Sequence, residues 1–161
     1  MVDMLTDERD VALFFLGWRS FIDDADTVLA EHGLGRMHHR VLYVVARSPG
    51  ISVGELAGAL GISRQALHRP LSDLRRRDLI TGDVSARSGR ERALSATTAG
   101  QALERAATGP QLAHLSAVFD AAGPAAAEGW RRVMRGLAHD AVTQASPATR
   151  HLVDEGSADH A

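Results

Sequence analysis

The chain has 161 residues, 45% hydrophobic and 24% charged, with no cysteine and a formal net charge of −2. This composition fits one compact domain, or one small domain plus an oligomerising extension, and within the chain it excludes disulfide frameworks, cysteine-ligated zinc and thiol redox chemistry. No apolar run approaches the roughly 18 residues of a membrane span, and the acidic opening MVDMLTDERD argues against a secretory or transit peptide, so the cytoplasm is the expected compartment.

In chain order, Val11, Phe14, Phe15, Trp18, Phe21, Ile22, Ala25, Val28 and Leu29 recur at helical spacing and predict one amphipathic helix over 6–31. HGLG at 32–35 stops it. The second helix, 36–48, has a VLYVVA centre that is apolar all round and therefore buried. Ser52 and Glu55 make a capping box for a short helix over 53–60. Gly61 breaks that helix, and Ser63 is placed to cap the next one, 64–78. Pro70 lies inside this last helix, where it removes a backbone donor and predicts a bend, with Arg75, Arg76 and Arg77 beyond it.

From 79 to 97 the period changes. LITGDV and RALSAT flank SARSGRE and read as a β-hairpin with an arginine-studded tip. Thr98 with Gln101 reads as another capping box, opening a helix from 99 that Gly109-Pro110 should kink or split. Gly123-Pro124 marks the next boundary, before a final helix over 125–142 that turns Trp130, Val133, Met134, Leu137 and Ala141 to one side. Residues 143–161 lack periodicity and read as a disordered tail.

The charge is unevenly placed. All 18 cationic Lys/Arg positions are arginine, and residues 50–97 hold eight of them against five acids. A basic segment on an acidic scaffold is the electrostatic footprint of a nucleic-acid reader. The order helix, helix, short helix, glycine turn, basic helix, hairpin is that of a winged helix-turn-helix. Projected at helical pitch, Leu67, Leu71 and Leu74 share one side of helix 64–78, with Pro70 at their edge. Gln65, Arg69, Ser72 and Arg76 share the other, with His68 on its flank. Arginine can bond guanine and glutamine adenine in bidentate fashion, and serine reaches a base or a phosphate. Ser63 and Arg64 stand at the helix N-terminus, where phosphate is favoured. Arg87, Arg90 and Arg92 on the hairpin suit a minor groove or its phosphates. The plainer alternatives are a solvated amphipathic helix and an ordinary charged hairpin tip.

SVGELAGALGISRQALHRPLSDLRRRDLI and GRERALSATTAG resemble the helix-turn-helix and wing of MarR-type transcriptional regulators, over roughly residues 10–142. The resemblance implies a mainly α fold with a small β-hairpin wing. Residues 36–98 would form the DNA-binding winged helix-turn-helix, and 1–35 with 99–142 a helical dimerisation region. It places the groove-facing pair at His68 and Arg69 and the wing arginine at Arg90. It also implies a ligand pocket between the first helix, the second and the one from 99, nominating Phe15, Trp18, His38 and Tyr43; core or dimer-interface packing is the plainer role for these. Two positions depart from the family pattern. Ser88 stands where the wing usually has an aspartate, and Asp78 stands where a glycine usually precedes LI, so a different helix C-cap is expected.

Metal and enzyme readings lack a pattern. His38 and His39 point about 100° apart on a helix and chelate poorly, and no His-x3-His occurs. They suit capping of the second helix, or the cleft between dimer and reading head. There is no phosphate-binding glycine loop and no nucleophile elbow. No cofactor, metal or catalytic role is expected. The expected function is a homodimeric repressor on a pseudo-palindromic operator, released by a small aromatic or apolar effector and independent of membranes. The alternative is a winged helix used for protein–protein contact without sequence reading.

Overall fold

The computed structural model describes residues 7–82, 93–144 and 150–153. Its elements are α1 (Glu8–Glu31), α2 (Arg36–Arg47), α3 (Val53–Leu60), α4 (Arg64–Arg76), β1 (Ile80–Thr81), β2 (Ser95–Ala96), α5 (Thr98–Ala122) and α6 (Pro124–Gln144). β1 and β2 pair antiparallel, Ile80 opposite Ala96, and Ile51 bridges Leu94 to add a third point of contact at the base of the hairpin. The hairpin tip, with Arg87, Arg90, Arg92 and Ser88, lies outside the described residues.

The core gathers α2, α3, α4 and the hairpin base. Val41, Leu42 and Val45 of α2 meet Leu56 of α3 and Leu67, Leu71 and Leu74 of α4, all buried. Only the C-terminal half of α1 joins them, through Ala25 and Leu29. Its first half is exposed on every side, apolar residues included: Phe15 is 65% and Trp18 54% accessible. Leu112 and Val118 of α5, with Trp130, Val133 and Leu137 of α6, are exposed in the same way. α1 packs along α5, and α5 against α6. Between these three helices runs an apolar groove of about 480 Å³, floored by Phe14, Trp18, Val118, Trp130 and Met134. No helix among the described residues is long and apolar enough to cross a membrane.

Three local expectations need correction. The cap of α5 is Thr97 and not Thr98: the Thr97 Oγ1 accepts from Gly100 N at 3.0 Å and donates to the Asp78 carbonyl at 2.6 Å, tying the helix start to the end of α4. Pro110 does not split α5, which runs unbroken from Thr98 to Ala122. The carbonyl that Pro110 deprives of a donor belongs to Ala106, an exposed residue, so water can replace the missing bond. The C-terminus of α4 keeps the glycine-type geometry without a glycine. Asp78 takes a left-handed φ of 55°, Leu79 N bonds Leu74 O and Asp78 N bonds Arg75 O, both at 2.9 Å, which is a Schellman motif. A left-handed non-glycine residue is strained by roughly 1–2 kcal/mol, and an acid at a helix C-terminus opposes the dipole. Asp78→Gly should therefore stabilise the fold by about 1 kcal/mol after the added unfolded-state entropy is subtracted, read from the urea midpoint.

Candidate nucleic-acid interface

Local chemistry positions α4. Gly61 at φ 64° ends α3 and turns the chain. Ser63 then caps α4, its Oγ accepting from Ala66 N at 3.2 Å. Leu67, Leu71 and Leu74 anchor one side in the core, and Pro70 is buried with them. The helix is continuous through Pro70, and the carbonyl left without a partner is that of Ala66, on an exposed turn. The opposite side presents Gln65, His68 and Arg69 to solvent, the Arg69 side chain being 93% accessible. Arg76 is exposed on the same side, and Ser72 is half-buried there. Arg64 is exposed with its guanidinium folded back over Gly54 in the first turn of α3, a position a Cβ would fill. Arg77 instead donates to the His32 carbonyl at 2.8 Å, which joins α4 to the end of α1.

Sequence reading passed over Asp73. Its carboxylate lies between Arg69 and Arg76 at the edge of the exposed face and reaches back to His38 on α2. The His38 hydrogen bond, with help from the Arg76 charge and against partial desolvation, lowers the Asp73 pKa below the usual aspartate value. His38 also accepts from Gly35 N at 3.1 Å through Nδ1, so it does cap α2. Its partner in sequence, His39, faces the other way, toward α5.

His39 opens on a cavity of about 750 Å³ between α1, α2 and α5, lined in part by Trp18, Phe21, Tyr43, Thr108 and Gln111. Of the four nominated ligand residues, Trp18 and Tyr43 line it; Phe15 and His38 are not among its lining residues. The polar wall was not foreseen. Arg47 Nη1 donates to Glu104 Oε1 at 2.8 Å, and Thr108 Oγ1 donates to the same oxygen at 2.6 Å. With its proton so used, Thr108 accepts from His39 Nε2 at 3.0 Å, which places the His39 proton on Nε2. Burial pushes the His39 imidazole below its ordinary pKa; the Glu104 carboxylate opposes this and the Arg47 charge adds to it. The Arg47 guanidinium also lies 3.7 Å over the Tyr43 ring. The signal in sequence was the spacing of Glu104, Thr108 and Gln111, polar residues interleaved with Leu103 and Ala107 on one buried face of α5.

Comparison with known proteins agrees with this architecture. The MarR family model matches residues 32–91, a span that takes in α2, α3, α4 and β1. The HTH-type transcriptional regulator PetP of Rhodobacter capsulatus is 37% identical over 136 residues, covering 83% of this chain and 82% of PetP. Among solved structures, Staphylococcus aureus MarR in complex with salicylate and kanamycin superposes with a TM-score of 0.70 at 18% identity, over 86% of this chain and 93% of that one. A mutant of S. aureus MepR bound to an oligodeoxyribonucleotide gives 0.54 at 20% identity, over 85% and 99%. A capped basic helix seated on a leucine core, a hairpin beside it, and a relative of this identity over four-fifths of both chains lead to one assignment: the chain belongs to the MarR family of DNA-binding transcriptional regulators.

Proposed function

We propose that this chain represses transcription as a homodimer, each α4 lying in a major groove of a near-palindromic site. The observation that carries the reading is the division of α4 into a buried leucine side and an exposed side bearing Gln65, His68, Arg69 and Arg76. Arg69 offers two donors to guanine O6 and N7, and the Gln65 amide can donate to adenine N7 while accepting from its N6 amino group; Ser63, Arg64 and Arg76 flank them toward phosphate, with Ser72 beside the bases. Arg87, Arg90 and Arg92, outside the described residues, would reach the flanking minor groove. Dimerisation is supported by the apolar groove and exposed aromatics of α1, α5 and α6, a surface too apolar to stay in water. A small effector with an aromatic or apolar body suits the 750 Å³ cavity, and S. aureus MarR, of the same fold, holds salicylate.

The test is a titration of the DNA upstream of the protein's own coding region across a salt series, with the stoichiometry of the complex measured by sedimentation. Two protomers should bind per duplex, with affinity falling steeply as salt rises. Arg69→Ala should cost about 1–3 kcal/mol and relax base preference. A winged helix used only for protein contact would give no salt-dependent shift, and Arg69→Ala and Arg90→Ala variants that bind as the parent does would overturn the reading.

A further inference from the structure

We infer that Asp73, held in place by His38, is a positioning residue for Arg69 and Arg76 on the exposed face of α4, and that it sets how sharply the chain discriminates one duplex from another. The inference rests on α4 being the reading helix.

An acidic side chain next to the groove face is out of place on electrostatic grounds alone, since it repels phosphate. Accepting from a cytosine amino group would be one use for it, but Asp73 is turned inward. Its side chain is 19% accessible and its carboxylate faces α2. What surrounds it is a chain of single-purpose contacts. The Gly35 N–H donates to His38 Nδ1 at 3.1 Å, so the other ring nitrogen, Nε2, carries the proton. That N–H donates to Asp73 Oδ2 at 3.3 Å. Arg76 donates to Asp73 Oδ1, and Arg69 Nε stands 3.9 Å from Oδ2. Hydrogen bonds thus run from Gly35 through His38 and Asp73 to Arg76, and Arg69 stands within ion-pair distance of the same carboxylate.

The consequence is orientational. Exposed ion pairs contribute little to stability, so stability cannot be the main effect. An unrestrained arginine, however, samples many rotamers, and a carboxylate anchored at its own far side removes much of that freedom before DNA arrives. The carboxylate also cancels about one positive charge on the face that meets phosphate, which weakens attraction to every sequence equally. Only the first effect separates the correct site from the rest, because that site meets arginines already aimed; the second lowers the sequence-independent affinity for all duplexes alike. His38 earns its place because without it Asp73 could follow its arginines instead of holding them.

The experiment uses the full-length protein and two probes of equal length, a duplex selected by the parent protein from a random pool and a shuffled duplex. Asp73→Asn keeps the shape and the His38 bond but drops the charge. It should tighten binding to the shuffled duplex, steepen the salt dependence there by about one unit, and lower the ratio of selected to shuffled affinity by roughly 5- to 100-fold, the weight of one misread base pair. His38→Ala should lower the ratio in the same direction, and His38→Gln, whose amide can still donate to Asp73, should recover it. A ratio within about twofold of the parent in Asp73→Asn, while Arg69→Ala lowers it, overturns the inference and leaves the reading of DNA by α4 intact. If Arg69→Ala also leaves the ratio unchanged, that reading fails and the inference with it. A measurement without DNA separates positioning from folding: the Arg76 Nε–Hε group, assigned by its loss in Arg76→Lys, should be ordered by NMR relaxation in the parent and mobile in Asp73→Asn. Equal order in both overturns the inference.

Discussion

Replacing Arg47 by methionine should destabilise the protein by about 3–5 kcal/mol, the cost of leaving a buried charge without its partner. The Glu104 side chain is 4% accessible, and Arg47 and Thr108 are the donors to its Oε1. Methionine keeps much of the apolar stem but removes the guanidinium that lies over Tyr43 and donates to the acid, so Glu104 would retain only the Thr108 hydroxyl. Removing the acid instead should cost less, because the Arg47 side chain is 33% accessible and its charge can turn to water. The double variant Arg47→Met, Glu104→Leu should recover most of the loss, since well-packed apolar replacements of a buried pair are often neutral. Urea unfolding at one protein concentration measures all three, and the concentration must be held fixed because any association would add to the apparent stability. A loss below about 1 kcal/mol in Arg47→Met would mean that water already reaches Glu104. The pair also bears on function. It joins α2 to α5 at the wall of the cavity, so a ligand bound there would meet a rigid polar edge.

The parts of this fold that were legible in sequence are those decided within a few residues. Ser52 with Glu55, Gly61 and Ser63 delimit α3 and α4 by local hydrogen bonds, and the all-apolar centre of α2 could only be interior. The exposed face of α4 was legible for the same reason, because periodicity alone separates Leu67 and Leu71 from Gln65 and Arg69. Misplaced features depend on distant contacts. Thr97 and Thr98 are equivalent caps until the hairpin places Leu79 O against Thr97 N and Asp78 O against its hydroxyl. Pro110 reads as a break until the exposure of Ala106 is known. His38 meets Asp73 across 35 residues and His39 meets Thr108 across 69; no spacing rule reaches so far. Adjacent histidines that a sequence reading treats as one pair therefore serve two different elements, α4 on one side and the cavity wall on the other.

The glycine in TTAG should be among the least replaceable residues outside α4. Gly100 sits in the first turn of α5, its N–H given to the Thr97 hydroxyl. A Cβ there would lie 2.9 Å from the Leu79 carbonyl carbon, 3.3 Å from its Cα, and closer still to its oxygen. All three are backbone atoms, so no side chain can turn aside to make room. Alanine would ordinarily be better than glycine in a helix by about 1 kcal/mol, and Gly58→Ala in α3, where nothing lies within 4 Å of the new methyl group, should show that gain. Gly100→Ala should instead lose about 2–3 kcal/mol, the upper part of the range for overpacking, visible as a lower urea midpoint with an unchanged slope. The displaced group also matters for reading DNA. Leu79 leads directly into β1, and its carbonyl accepts from Thr97 N at 3.1 Å where the hairpin returns to α5. Pushing α5 away from Leu79 would shift the hairpin base against α4, so the variant that remains folded should bind DNA more weakly with the residues of α4 unchanged. Equal stability of Gly100→Ala and Gly58→Ala would mean that α5 can slide on the hairpin base, and that the close backbone approach does not fix α5 against the hairpin.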